Sequence, residues 1–428
     1  VTAVTVTGST GNHTINFNGG TFTANAASVS ISASSLLSTV VKSGGAIFNV
    51  LGSNTLTISS NLTSNGTDGG LTKNGTGTLT LSGAGGNYTG TTTVNAGTLT
   101  LGSNQNLGAI AGAGALNLSS YTLTTNATSN TTYSGVISGT GALTKNGTST
   151  LTLTGNNTYS GVTTINAGTL AVDGAGRLGG GNYTANLTNA GTFLYNGTND
   201  QTLSGNLAGA GALTKNNTST LTLTGSTISN TGAVTINAGN LTVNNSASSL
   251  TLGTVTGAGN LNATVGTYFM NGNITTTGTV TIATAGPGSG GVRMSSSNNG
   301  GARTITANAI TVTGQTGDNF GGGTLTFDTS AANGNIYLDL ANGWAGTFYN
   351  NNITANAGTG TLTIAGTNGA NANGGQGWTG TNNLTGALNI STNFASAGSG
   401  NIGIWNLTAT GNSTVSGNLK LGAGAATN

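Results

Sequence analysis

The segment LTKNGTGTLTLSG at 71–83 returns as LTKNGTSTLTLTG at 143–155 and as LTKNNTSTLTLTG at 213–225. A repeat on this scale restricts the fold before any other feature does, because each copy must build the same local unit and find its packing partner in a neighbouring unit. The copies run on past the signature. They read LTKNGTGTLTLSGAGGNYTGTTTVNAGTLTL at 71–101, LTKNGTSTLTLTGNNTYSGVTTINAGTLAV at 143–172 and LTKNNTSTLTLTGSTISNTGAVTINAGNLTV at 213–243. Between them, 115–126 and 186–200 read as degenerate rungs.

Inside each copy the apolar residues alternate with threonine. Leu79 and Leu81, Leu151 and Leu153, and Leu221 and Leu223 share one face of a strand, since successive side chains point to opposite sides. A second strand carries Leu99 and Leu101, Leu170 and Val172, or Leu241 and Val243. Between the strands stands an Asn-Ala-Gly corner: Asn95 and Gly97, Asn166 and Gly168, Asn237 and Gly239. Asn and Gly tolerate positive φ, so such a corner turns the chain without a loop. Short strand, tight corner and short strand describe a solenoid. The expectation is an all-β chain, a right-handed parallel β-helix in one elongated rod. Coils of roughly 18–25 residues would stack about 4.8 Å apart, giving about 18–20 coils and a length on the order of 90 Å. The distance between copies would then be about three coils, with Asn or Thr ladders where corners align.

Composition agrees with this and excludes several functions. The 428 residues include 77 Gly, one Pro and no Cys, and only 3% are charged, against about 25% in an ordinary soluble domain. An apolar fraction of 35% in strict alternation argues against disorder. Eight basic residues against six acidic ones make no phosphate-tracking patch, so nucleic acid is not expected as a partner. No apolar run reaches the roughly 20 residues of a membrane helix. The absence of Cys removes disulfides and thiolate metal sites. A chain beginning at Val1 points to processing upstream.

The pattern LTKNGTGTLTLSG…YTGTTTVNAGTLTL resembles the autotransporter-associated β-strand repeat, the passenger-associated transport repeat of secreted bacterial surface proteins. The Tyr-x-Gly…Asn-Ala-Gly-Thr-Leu segment stands at Tyr88–Leu99 and Tyr159–Leu170 and is eroded in the third copy. The resemblance spans about 62–245. It implies a right-handed parallel β-helix at the bacterial cell surface or beyond, as an adhesin, surface layer or fibre component. Autotransporters end in a membrane barrel, and LKLGAGAATN supplies no such strands, so cleavage or another export route is implied.

Three regions follow: 1–60, with VTAVTVTG and a possible subunit-pairing strand through Val4 and Val6; 61–245, the repeats; and 246–428, degenerate coils enriched in aromatics, with Trp344, Trp378 and Trp405 and a boundary loop at Pro287. With so little charge to guard strand edges, self-association head-to-tail or laterally is expected, with surface glycans or other cells as further partners. Catalysis is not expected. The carboxylates are Asp68, Asp173, Asp200, Asp318, Asp328 and Asp339, with no Glu. Of these, Asp328 with Asp339, and Asp173 with Arg177, are the only candidate pairings for hydrolytic or ionic chemistry. His13, the single His, sits in GNHT beside turn residues, where it is expected to be solvated, and leaves neither a Ser-His-Asp set nor a His-based zinc site. Asp318 in GDNFGGG has no second copy, as a calcium repeat requires, so no metal and no cofactor is expected. Lys73, Lys145 and Lys215, about 14 Å apart on a three-coil spacing, would wet the surface. Thr-x-Thr triplets raise a different function, binding of ice or crystalline polysaccharide through a flat hydroxyl array.

Overall fold

The computed structural model describes residues 13–32, 37–64, 66–284, 303–314 and 324–339, with strand segments elsewhere between Ala3 and Gly417. Val6, Pro287, Asp318, Trp344 and Trp405 lie outside the described residues. Two compact units are formed, Val1–Asn206 and Leu207–Asn428. Every strand pairing described is parallel. No α-helix occurs among the described residues, and the only helical turn there is the 3₁₀ segment Gly179–Gly181. No helix is long and apolar enough to cross a membrane.

In the first unit the chain visits three sheets in turn. Thr55–Ile58, Thr78–Leu81, Thr98–Leu101 and Ala115–Asn117 are successive rungs of the first. His13–Phe17, Leu37–Val41 and Leu62–Thr63 open the second side, and Gln105–Leu107, Leu123–Thr125, Leu143–Lys145, Thr163–Ile165 and Leu187–Asn189 form its later rungs. Thr21–Ala24, Ala46–Val50, Leu71–Asn74 and Thr91–Val94 begin the third, which continues to Thr192–Gly197. This is a three-sided β-solenoid. Leu79 stands beside Leu99 and Leu151 beside Leu170, so one coil is the stretch from 79 to 99 or from 151 to 170. In the second unit Ala212–Lys215, Val234–Ile236, Val255–Gly257 and Ile274–Thr276 make one such column. Thr220–Leu223, Asn240–Leu252, Asn260–Met270 and Thr279–Thr284 make another.

The threonine–leucine alternation sorts inside from outside. Leu79, Leu81, Leu99, Leu101, Leu151, Leu153, Leu170, Leu221, Leu223 and Leu241 are all buried, while the intervening Thr78, Thr80, Thr150, Thr152, Thr220 and Thr222 stay half-exposed. Each buried leucine contributes roughly 1.5–3 kcal/mol. It does so only when the coils above and below exist, because a single coil has no second apolar face to pack against. Where a sheet ladder lapses, buried amides replace it. Between Ile137–Ser138 and the isolated bridge Asn156–Arg177, the Asn157 Oδ1 accepts from the Ile137 N–H at 3.0 Å, and its Nδ2 donates to Gly155 O at 2.8 Å and Arg177 O at 3.1 Å. Gln201 caps Leu178 in the same way, accepting its N–H at 2.8 Å and donating to its carbonyl at 3.1 Å.

His13 begins a strand, paired with Leu37, and is exposed. One expectation needs correction: the repeat copies are not in mutual register. The first places its strands on the third and first sheets, whereas the second places them on the second and third. The reason is arithmetic. The two copies begin at 71 and 143, an interval that is not a whole number of coils, so the motif drifts from one pair of sheets to another.

The repeat corner as the candidate functional site

Within one copy, the motif visits a single corner twice. Leu71–Asn74 and Thr78–Leu81 flank it on one coil, and Thr91–Val94 and Thr98–Leu101 flank it on the next, with Leu71 beside Thr92 and Leu79 beside Leu99. The second copy pairs Leu143 with Thr163 and Leu151 with Leu170, and the third pairs Leu213 with Val234 and Leu221 with Leu241. Each repeat is therefore one full coil plus a second pass over the same edge.

The Asn-Ala-Gly turn closes each second pass. Gly97, Gly168 and Gly239 have φ of 66°, 65° and 69°, in the left-handed region. A Cβ on Gly168 would also lie 2.4 Å from Ser149 O and 2.5 Å from Gly147 O, the backbone of the corner one coil earlier. Asn95, Asn166 and Asn237 donate from Nδ2 to the Oδ1 of Asn74, Asn146 and Asn216 at 2.8, 2.7 and 2.8 Å. The amide ladders thus run between the two passes of one copy.

Lys73, Lys145 and Lys215 do not wet the surface. All three are 0 % exposed. The strand alternation that buries Leu71 also buries Lys73 two positions on. The Lys73 Nζ donates to the carbonyls of Asn74 at 2.8 Å and Gly75 at 2.7 Å in its own corner, and to Ala96 at 3.1 Å in the next coil's. Lys145 donates to Gly147 O and, at 3.3 Å, to Ala167 O. Lys215 donates to Asn216 O, to Asn217 O at 2.8 Å and to Ala238 O at 3.5 Å. Each ammonium thereby joins two successive corners through carbonyl dipoles. Burial pulls the Lys73 pKa down to about 8 and lowers that of Lys145. The carbonyl acceptors favour the charged form and limit the loss.

A buried phenol–hydroxyl pair accompanies the corner. Tyr88 and Thr92 hydroxyls lie 2.7 Å apart, and those of Tyr159 and Thr163 2.8 Å apart. Thr163 also meets the Tyr183 hydroxyl at 2.7 Å. In the third copy Asn230 stands in the tyrosine's place, seven residues before the Asn-Ala-Gly turn, and Val234 in the threonine's, and both are buried. Loss of one partner would strand a buried hydroxyl, whereas loss of both costs little. Burial raises the pKa of Tyr159 and of Tyr195 to about 12, and raises Tyr88, Tyr133, Tyr183 and Tyr268 further.

The carboxylates are dispersed. Asp68 Oδ1 accepts the N–H groups of Gly70 at 2.9 Å and Gly90 at 2.8 Å, and Oδ2 accepts Thr89 N–H at 2.7 Å and its hydroxyl at 3.0 Å. Desolvation raises its pKa, but these donors together outweigh it and hold the carboxyl below its ordinary value. Asp173 Oδ1 accepts Gly174 N–H and Asn196 Nδ2–H, each at 2.7 Å. Asp200 is exposed beside the strand Gln201–Leu203. Asp328 Oδ1 takes Ser330 N–H at 2.9 Å and its hydroxyl at 2.6 Å. Asp328 and Asp339 end strands of different ladders, registered beside Asn356 and Ala365. Val4 is paired with Ile31 of its own chain. Among the described residues no group of three His, Asp or Glu side chains could hold a metal ion.

The passenger-associated-transport-repeat family model matches residues 71–101, 143–172 and 213–243. The chain carries three passenger-associated transport repeats. The three matches coincide with the three lysine-bridged corners, so the signature of this repeat is, in physical terms, one edge of the solenoid written twice. Passenger-associated transport repeats are associated with autotransporter passengers, which are secreted or surface-exposed in bacteria, and the β-solenoid fits such a passenger-like protein. No curated protein and no solved structure matches the chain.

Two outcomes follow from the corner. Between the folded Lys73 pKa of about 8 and the ordinary value of 10.5, the unfolded chain holds more protons, so stability rises with pH. Above about 10 the sign reverses, because unfolded tyrosines ionise there while the buried ones keep their protons. Urea midpoints should therefore rise from pH 7 to 9 and fall by pH 11; a flat or falling first limb contradicts the buried-ammonium account. In a double-mutant cycle, Thr92→Val alone should cost about 1–3 kcal/mol. Tyr88→Ile with Thr92→Val should cost clearly less than the two single changes summed, as read from denaturation midpoints.

Proposed function

We propose that this protein is a non-catalytic extracellular element, structural or adhesive, that associates with copies of itself as a fibre or filament subunit. The observation that carries the reading is where the polar groups go. Three of the eight cations are turned into the interior, and among the described residues many outward positions of the sheets are neutral hydroxyls and amides. One outward column runs Thr214, Thr235, Thr256, Thr275 and Thr306 in direct register. Without charge on such faces, the repulsion and edge protection that keep strand-rich proteins apart are missing. The dispersal of the carboxylates, each engaged by backbone or amide donors at Asp68, Asp173 and Asp328, supports a role without catalysis.

One feature favours a second reading, binding of ice or a crystalline polysaccharide. Thr55, Thr78 and Thr98 form one outward column on the first sheet, and Thr57, Thr80 and Thr100 form the next. The resulting hydroxyl grid has spacings of about 4.8 Å between coils and roughly 6.6 Å along the strand. The same grid could equally meet another copy of the chain.

Sedimentation velocity over a hundredfold concentration range should show large oligomers growing with concentration, and electron micrographs of that material should show filaments. A monomer that persists at the highest concentration ends the self-association reading. Thermal hysteresis of a concentrated solution should be zero if the grid serves assembly; a measurable freezing-point depression would transfer the grid to ice.

A further inference from the structure

The coil lengthens where the second repeat copy ends. Leu151 is paired with Leu170, but Leu170 is paired with Phe193, a longer stretch of chain. The extra length is spent on Gly174–Asn182, which contains the 3₁₀ turn Gly179–Gly181. Gly174, Gly179, Gly180 and Gly181 all have positive φ. Arg177 lies in this segment, bridged through its backbone to Asn156.

Arg177 differs from the other described cations. Lys73, Lys145 and Lys215 are buried against carbonyls, Arg303 Nε donates to Met270 O at 3.1 Å, and Lys42 has a partner as well. The Arg177 side chain has neither a hydrogen bond nor an ion pair among the described residues. Its Nε is enclosed and unsatisfied, whereas the two terminal nitrogens are not enclosed. No hydrogen bond joins it to Asp173, four positions earlier in sequence, whose Oδ1 accepts from Gly174 and Asn196. Glycine makes room beside the half-exposed side chain: a Cβ on Gly181 would lie 3.3 Å from the Arg177 Nη1. A half-exposed guanidinium packed beside glycine, close enough to act on the buried Tyr195, which Asp200 also influences, has the chemistry to receive an oxyanion. It offers two parallel N–H donors to two oxygens of a carboxylate or phosphate, and no neighbouring cation competes.

We propose that Arg177 and its glycine turn form a binding site for the acidic group of a surface polysaccharide. The chemistry around it favours a glycan over a protein. Asn156 and Asn182 flank the turn with exposed amides suited to sugar hydroxyls, and Leu178, the one large apolar side chain of the segment, is buried. A protein partner would ordinarily need an apolar anchor at such a site. The site rests on the adhesive part of the reading above and does not depend on self-association.

The test uses the full chain and three polymers in 50 mM salt: alginate oligomers as the carboxylate, polyphosphate as the phosphate, and dextran as the neutral control. Binding is read by titration calorimetry. One or both anionic polymers should bind and dextran should not, and the stronger of the two identifies the oxyanion. Arg177→Gln should weaken that binding about 10- to 100-fold, the loss of a bidentate charge-assisted pair, and Arg177→Lys should retain part of it. Circular dichroism and sedimentation of Arg177→Gln should match the parent, so that a loss of binding is separable from a loss of fold or assembly. Absence of binding to both anions, equal binding of dextran, or undiminished binding by Arg177→Gln overturns the proposal.

Discussion

The hydrogen-bond ladder that runs from coil to coil is the constraint on which everything else depends. It aligns strands of successive coils in parallel, and it thereby also aligns their corners. At a corner the chain turns, the ladder lapses, and carbonyl oxygens of two coils converge on one another. Left alone, those oxygens are buried acceptors without donors, a costly arrangement. The lysine of LTKN answers this directly. Its ammonium carries three donors and no acceptor, and for Lys73 all three go to carbonyls of two consecutive corners. The asparagine pair outside the corner, such as Asn95 on Asn74, holds the same two coils from the solvent side.

A solenoid of this kind has little else to hold it. It lacks disulfides, and its stability is a sum of interfaces between neighbouring coils. Polar residues inside such a stack are expensive unless every group is satisfied. The repeat copies meet that condition in two ways. The first two keep a tyrosine and a threonine that satisfy each other, while the third has exchanged them for Asn230, whose amide turns to Gly232 O, and the aliphatic Val234. What looks like erosion in the third copy is a change of both members together, which leaves no stranded hydroxyl.

Moving cations inward has a consequence outside. A chain with 14 formal charges among its 428 residues that hides three of them presents faces defined by hydroxyl and amide spacing. Such faces suit repetitive contacts with a copy of the same chain or with an ordered carbohydrate. Against that background the guanidinium of Arg177, which makes no hydrogen bond among the described residues, is a local feature of contrast, since charge recognition is strongest where few other charges screen or compete with it.

The strands and their inner faces were legible in the sequence. Period-2 alternation is a property of the extended backbone itself, so Leu79, Leu81, Leu151 and Leu153 could be placed inside from the letters alone, and so could the left-handed glycine at 97, 168 and 239. The same parity, applied without deference to side-chain type, would have placed Lys73 beside Leu71 and Thr92 beside Val94. The chemical character of lysine masked a geometric signal that was present. Other features belong only to the tertiary structure, because they depend on how much chain separates contacts in different coils. Neither the drift of the second copy onto a different pair of sheets nor the four donors that Asp68 collects from Gly70, Thr89 and Gly90 is local. The same holds for Asp173, which the ladder places beside Asn196 of the next coil. Local geometry is written in the sequence residue by residue; which coil lies above which is decided when the stack closes.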